Sequence, residues 1–137
     1  MVNGKVVGRC GAGLLLLVGV KKEDDSVRAA KLAKRVVNLR IFNDPDGKMN
    51  LSILDLRGEG TDARLLAVSN FTVYGDADKS RRPSFTLAAP YEEGRILFEE
   101  FVSSLRSLAV PVETGEYGAH MEVRLLNDGP VTLVIDV

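Results

Sequence analysis

The chain has 137 residues, 45% of them hydrophobic and 27% charged, with a formal net charge of -1 and a pI near 5.9. That length suits one domain over residues 1–137, large enough to bury roughly two-thirds of its unfolded surface. The near-neutral balance argues against a protein that coats nucleic acid by bulk charge, while leaving room for a local basic patch.

The first element is a turn. Asn3-Gly4 ahead of Lys5-Val6-Val7 is a hairpin signal, yet only Met1 and Val2 precede it. The hairpin is therefore either lost, or the chain begins late and lacks an upstream strand. Leu14 to Val20 is apolar without alternation, as in a strand covered on both faces. Glu23-Asp24-Asp25-Ser26 offers acids and caps for a helix start. Ala29, Leu32, Ala33, Val36 and Val37 then form a stripe at helical spacing, with the helix ending near Asn38.

Leu39 to Phe42 reads as a short strand and Asn43-Asp44-Pro45-Asp46-Gly47 as a turn. A calcium loop is rejected there, because the later acidic ligands of an EF-hand do not follow. Asn50 to Leu54 is expected to pair back as a strand, and Arg57 to Asp62 to form a loop. Arg64 to Ser69 is a buried strand ending in a polar cluster, and Tyr91 to Leu108 is a second amphipathic helix. Three strands close the chain: Val112 to Tyr117, Met121 to Leu126 and Val131 to Val137. This order of elements predicts an α/β or α+β domain built on a sheet and covered by two helices.

Composition narrows the chemistry. One cysteine, Cys10, and one histidine, His120, allow neither a disulfide framework nor a multi-His metal site within a chain. A Ser-His-Asp triad would depend on His120 alone. No metal or cofactor is expected. No apolar run approaches the ~20 residues that span a bilayer, so no membrane partner is expected. With no signal-peptide pattern at the start, a cytoplasmic location is the default.

Three polar clusters lie at strand ends or in loops, where sites tend to be built. Ser69-Asn70-Phe71-Thr72 offers hydroxyls, an amide and main-chain N–H groups at a strand end. Such groups serve either as an oxyanion hole or as simple turn caps. Lys79, Arg81 and Arg82 concentrate positive charge beside Phe85, which suits either phosphate or plain solvent. Asn127-Asp128-Gly129-Pro130-Val131-Thr132 is a tight turn with a Gly-Pro bond.

Taken together in order, these clusters resemble the D-aminoacyl-tRNA deacylase family, the D-tyrosyl-tRNA deacylases. The resemblance runs from Val2 to Val137 and includes Gly11-Ala12-Gly13-Leu14, Val37 to Phe42, Gly47 to Ser52, Arg81 to Thr86 and Pro111 to Gly115. The family's Ser-Gln-x-Thr motif reads here Ser69-Asn70-Phe71-Thr72, and its Asn-x-Gly-Pro-x-Thr motif is matched in full from Asn127 to Thr132.

The resemblance implies an α/β fold, a single mixed sheet or barrel-like domain covered by two helices, assembled as a homodimer. It implies a cis Gly129–Pro130 bond that reaches across the dimer to complete the pocket around Thr72 of the other subunit. It implies D-aminoacyl-tRNA as substrate, with Ser69, Asn70, Phe71 and Thr72 as the catalytic set. Gly129, Pro130, Tyr117, Met121, Asn127 and Thr132 are then substrate-binding residues, and Lys79, Arg81 and Arg82 tRNA-binding ones. Adenine is expected near Phe71 and Tyr117. Thr72 serves either as a nucleophile or as a positioning group beside main-chain donors, and the scarcity of titrating groups favours the second role. A binding module without catalysis and a small-molecule esterase are the alternatives.

The sequence departs from the family at three places. Asn70 stands for the usual Gln, and His120 for a usual acid. An additional strand, bearing a basic residue that holds the Gly-Pro segment, is expected ahead of Asn3-Gly4.

Overall fold

The computed structural model describes residues 1–137. Its centre is a three-stranded parallel sheet in the order β1-β4-β5, formed by β1 (Gly13–Val18), β4 (Arg64–Ser69) and β5 (Val112–Thr114). Leu14 pairs with Leu65 and Leu16 with Ala67, and Leu65 pairs on its other side with Val112. A two-stranded antiparallel ribbon, β2 (Phe42–Asn43) and β3 (Met49–Leu51), stands beside it.

The two long helices form where periodicity places them. Helix α1 (Ser26–Asn38) begins at Asp25, whose carboxylate accepts from the Arg28 N–H at 2.9 Å. It buries Ala33, Val36 and Val37. Helix α3 (Tyr91–Ser107) buries Phe98, Phe101, Val102 and Leu105. These stripes share one core with Leu65 and Ala67 of β4, Ile53 and Val110. Each fully buried Leu, Ile or Val contributes roughly 1.5–3 kcal/mol relative to exposure. Helix α3 is capped at its C-terminus by Leu108, and Ala109 then takes a left-handed conformation (φ 67°) ahead of β5.

Three expectations change. The stretch expected to be a strand over Asn50–Leu54 and a loop from Arg57 is instead β3 followed by a short helix, α2 (Ile53–Gly58). The cause is a capping box: Asp55 N–H donates to Ser52 Oγ at 3.1 Å, and Ser52 N–H donates to Asp55 Oδ2 at 2.8 Å. The Asn3-Gly4 turn forms, with both residues left-handed and Val2 and Lys5 exchanging backbone bonds, but it leads into no strand. The expected strands Met121–Leu126 and Val131–Val137 join no ladder. Glu122 exchanges hydrogen bonds with Met1, and beyond it no backbone group bonds to another backbone group. Their apolar residues carry a strand pattern, but they pair with no strand of this chain.

Candidate active site

The Ser69–Thr72 cluster emerges where β4 leaves the sheet. Asn70 N–H still donates to Val18 O at 2.8 Å, and the chain then enters a single 3-10 turn, Phe71–Tyr74. Two glycines let this turn pack closely. A side-chain carbon on Gly19 would lie 2.9 Å from Val73 Cβ and 3.0 Å from Tyr74 Cδ2. One on Gly75 would lie 2.8 Å from the Phe85 ring. The turn is thus wedged between the end of β1 and Phe85. Glycine after an apolar strand is the signal for such close approach, although Gly19 was not singled out in the sequence.

Asn70 caps the turn. Its side-chain oxygen accepts from Thr72 N–H at 3.2 Å and from Thr72 Oγ1 at 2.5 Å. An Asn side chain has the length for this i to i+2 closure, and Gln, one methylene longer, does not share that Asx geometry. The Phe71 N–H, first in the turn, makes no hydrogen bond within the chain. It is one of the orphan donors that every helical N-terminus leaves. Phe71 and Thr72 are exposed, and Ser69 and Asn70 are half-buried. The sequence-predicted catalytic set therefore offers one free main-chain donor, a second main-chain donor held by Asn70, and a hydroxyl held by the same amide.

The basic cluster is mounted against this turn. Phe85 meets Phe71 edge to face at 5.3 Å, and Asp76 and Ser84 exchange backbone bonds of 2.7 and 2.9 Å. Between them, Arg81 and Arg82 form no ion pair, and Lys79 approaches Asp76 at 3.7 Å while almost fully exposed. An ion pair that exposed contributes little, so all three cations remain available to an external anion.

The remaining expected residues fall elsewhere in the chain. Tyr117 is packed edge to face on Tyr91 at 5.1 Å and against Phe98 at 5.9 Å, and Gly94 of α3 leaves room for its hydroxyl. Burial first, and then the neighbouring Tyr91 and Glu92, raise its pKa above the usual phenol value. Its ring contacts are with α3, and Phe71's are with Phe85. Met121 covers Gly115 next to Val68. The Gly129–Pro130 bond is cis, and the loop is exposed, with Asn127 and Val131 of the same loop nearest to a side-chain carbon built on Gly129. Asn127 Nδ2 donates to Thr132 Oγ1 at 3.2 Å, so the two ends of that motif clasp each other across the base of the loop. His120 is exposed. Cys10 is half-buried, and burial, with the Glu113 carboxylate second, pushes its thiol up and keeps it protonated. No three His, Cys, Asp or Glu side chains converge as a metal site, and no helix is long and apolar enough to cross a membrane.

The strand-end turn with its free Phe71 N–H thus stands beside exposed aromatic and cationic side chains on a small α/β domain. Residues 1–136 match the family described as D-Tyr-tRNA(Tyr) deacylase, and the chain belongs to that family. It is similar to the D-aminoacyl-tRNA deacylase of Thermosipho africanus, 53% identical over 98% of this chain and 87% of the relative. The protein of the same name from Bacillus licheniformis is 52% identical over 98% of this chain and 88% of its own length. A solved structure of the c-Myc DNA unwinding element binding protein superposes with a TM-score of 0.86 at 32% identity, covering 96% of this chain and 86% of that one. A second, described as a probable eukaryotic D-amino acid tRNA deacylase, has a TM-score of 0.64 at 14% identity over 85% and 79%, and shows the shared fold.

Proposed function

We propose that this chain hydrolyses the ester joining a D-amino acid to the terminal adenosine of tRNA, so that translation is spared the wrong enantiomer. The observation that carries this is the full-length family relation, which spans both the Ser69–Thr72 turn and the Gly129–Pro130 loop. Water adds to the ester carbonyl, and the negative charge that develops on oxygen is met by the Phe71 N–H. The Thr72 N–H joins it once the Asn70 amide swings away. Collapse of the intermediate breaks the bond to the ribose oxygen, which takes up a proton, and releases the free amino acid and tRNA. Stabilising charge that appears only in the transition state is what accelerates the step. Thr72 positions the substrate, and the adjacent ribose hydroxyl helps to activate the water. Phe71, more than half exposed, receives the adenine end, and Lys79, Arg81 and Arg82 meet tRNA phosphates.

Selectivity arises between two subunits of a homodimer in the cytoplasm. The exposed Gly129–Pro130 loop of one subunit walls the pocket around Thr72 of the other. A D-residue directs its side chain away from the wall, whereas an L-residue drives it into the wall. This is discrimination by collision rather than by attraction. Asn127 and Thr132 clasp the base of the wall's loop, and Met121 packs beside Val68, next to Ser69. Neither a module that binds without catalysis nor a small-molecule esterase is favoured by the names of the curated relatives.

The test is the initial rate of deacylation of D-Tyr-tRNA beside L-Tyr-tRNA, with purified protein and chelator present. Rapid loss of the D-ester alone is expected. Equal rates, or loss of neither, would refute the proposal.

A further inference from the structure

The near-neutral net charge conceals a polarised surface. Helix α1 carries Arg28, Lys31, Lys34 and Arg35 and no acid, in a chain whose net charge is -1. Helix α3, which packs beside it around the same core, carries four glutamates against two arginines. The four cations of α1 are all exposed, because the helix turns Ala33, Val36 and Val37 inward. Lys31 stands three residues from Lys34 and four from Arg35, so like charges lie side by side on one face. Such pairs cost a helix stability. A cation in the last turn complements the helix dipole, and Arg35 already supplies it. Lys31 and Lys34 add positive charge that the helix itself does not need.

This face is continuous with the candidate site. Arg28 at its near end is one of the charges facing the phenol of Tyr74, the last residue of the 3-10 turn that contains Phe71 and Thr72. Ahead of the helix, Ala89 N–H donates to Val20 O and Lys22 N–H to Leu87 O, both at 2.9 Å. The Leu87–Ala89 segment follows directly on Phe85, which mounts the loop bearing Lys79, Arg81 and Arg82 against Phe71. Exposed Lys22 is thus tied to the root of the basic loop and lies four residues ahead of α1. Two acids of the intervening segment are engaged. Asp24 accepts from Lys21 N–H at 2.8 Å and pairs with Arg28 at 3.3 Å, and Asp25 caps α1.

We propose that the Lys31–Lys34–Arg35 face of α1 is a second phosphate-binding surface, which holds the acceptor stem of tRNA while the Phe71 turn and the basic loop hold its end. The proposal rests on the deacylase reading. The ester hangs from the terminal adenosine, so the duplex stem leading to it must pass over the surface of the enzyme. That stem is a dense polyanion, and cations that neutralise its phosphates release counterions and gain affinity. Such contacts position the duplex without reading its sequence. The acidic helix α3 repels the same polyanion, which leaves α1 as the side on which the stem lies. The face acts on binding and leaves the chemistry at Phe71 and Thr72 untouched.

The test reads affinity with uncharged tRNA over a series of salt concentrations, and hydrolysis with D-Tyr-tRNA and with D-tyrosyl-adenosine, which has no stem. Lys31→Ala/Lys34→Ala/Arg35→Ala is compared with the wild type and with two controls. One, Lys31→Arg/Lys34→Arg/Arg35→Lys, keeps the charge. The other, Lys5→Ala/Arg9→Ala/Lys48→Ala, removes the same charge from exposed positions off the helix. Loss of three phosphate contacts predicts a slope of log affinity against log salt that is shallower by about 2–3, and a Kd weaker by at least about tenfold at physiological salt. KM for D-Tyr-tRNA rises, while kcat and the hydrolysis of D-tyrosyl-adenosine stay within about twofold. The charge-keeping control retains the wild-type slope, and the off-helix control retains most of it. Thermal midpoints are measured in parallel. If the triple variant fails to fold, Lys31→Ala, Lys34→Ala and Arg35→Ala singly, each expected to lower the slope by about one, carry the comparison. An unchanged Kd and slope in the alanine variants overturns the surface. So does an equal loss in the off-helix control, or an equal fall in D-tyrosyl-adenosine hydrolysis. A wild type that loses tRNA affinity with the α1 charges but hydrolyses neither ester overturns the deacylase reading and leaves the surface standing.

Discussion

Asn70→Gln is the substitution that probes the site most sharply. In the structure the Asn70 amide oxygen holds both the Thr72 N–H, at 3.2 Å, and the Thr72 hydroxyl, at 2.5 Å. A substrate oxyanion that needs the Thr72 N–H must first displace this oxygen. A neutral hydrogen bond of this kind is worth about 0.5–1.5 kcal/mol net, a factor of roughly 2–13 in rate. Gln, one methylene longer, cannot close the same Asx turn, so the donor is released in advance. Single-turnover deacylation of D-Tyr-tRNA by Asn70→Gln is therefore expected to be about 2–13 times faster than by the wild type. The released cap costs about 1 kcal/mol of stability, seen as a Tm lower by roughly 3–6 °C. A rate equal to or below that of the wild type would refute the competition between Asn70 and the substrate.

Four further outcomes are expected from the structure. Because the Tyr74 pKa rises from 10 to about 12 on folding, the native state retains a proton that the unfolded chain releases. Its stabilisation is complete below about pH 10 and is lost as pH climbs through 12. The Tm of the wild type should fall more steeply over that window than that of Tyr74→Phe, with Asp24, Asp136 and Arg28 as the charges facing the phenol; parallel curves would contradict this. Ala109→Gly removes a left-handed alanine at the end of α3, which costs about 1–2 kcal/mol, partly offset by the entropy of glycine, so its Tm should rise by a few degrees in a thermal melt. Gly19→Ala forces Val73 and Tyr74 aside, an overpacking cost of about 1–3 kcal/mol, and should lower both Tm and D-Tyr-tRNA hydrolysis. Gly11→Ala, with nothing within 4 Å, should leave Tm nearly unchanged.

Much of the scaffold was legible because it is locally determined. The apolar run at Leu14, the Asp25 cap with its helical stripe, and the run at Arg64 each fix an element within a few residues of where it lies. The Ser52-x-x-Asp55 box is equally present in the sequence, but Ile53 and Leu54 also continue a strand pattern, which masks it. The closing segments show the limit of patterning. Met121–Leu126 and Val131–Val137 have the composition of strands, yet a strand exists only when a neighbour takes its hydrogen bonds, and composition does not reveal the neighbour.

The site was legible in part for the same reason. Ser69–Thr72 stands at a strand end whose position follows from the apolar pattern. The capping role of Asn70 follows from the i to i+2 habit of Asn, although the motif resemblance drew attention to its departure from Gln instead. Tyr74 and Asp136 meet across 62 residues, and no spacing rule links them. Tyr117 shows the converse: a loop aromatic suited to stacking a base is engaged by Tyr91 and Phe98.

On the proposed function, enantiomers are told apart by collision with the Gly129–Pro130 wall. One substrate series tests it directly: D-Ala, L-Ala and Gly esterified to the same tRNA, with kcat/KM measured for each. Collision predicts that D-Ala and Gly are both hydrolysed, because neither places a side chain against the wall. L-Ala should be slower by about 100-fold or more, given an overpacking cost near 3 kcal/mol. If Gly is refused as strongly as L-Ala, the site recognises the D side chain by attraction, and a selective wall is contradicted.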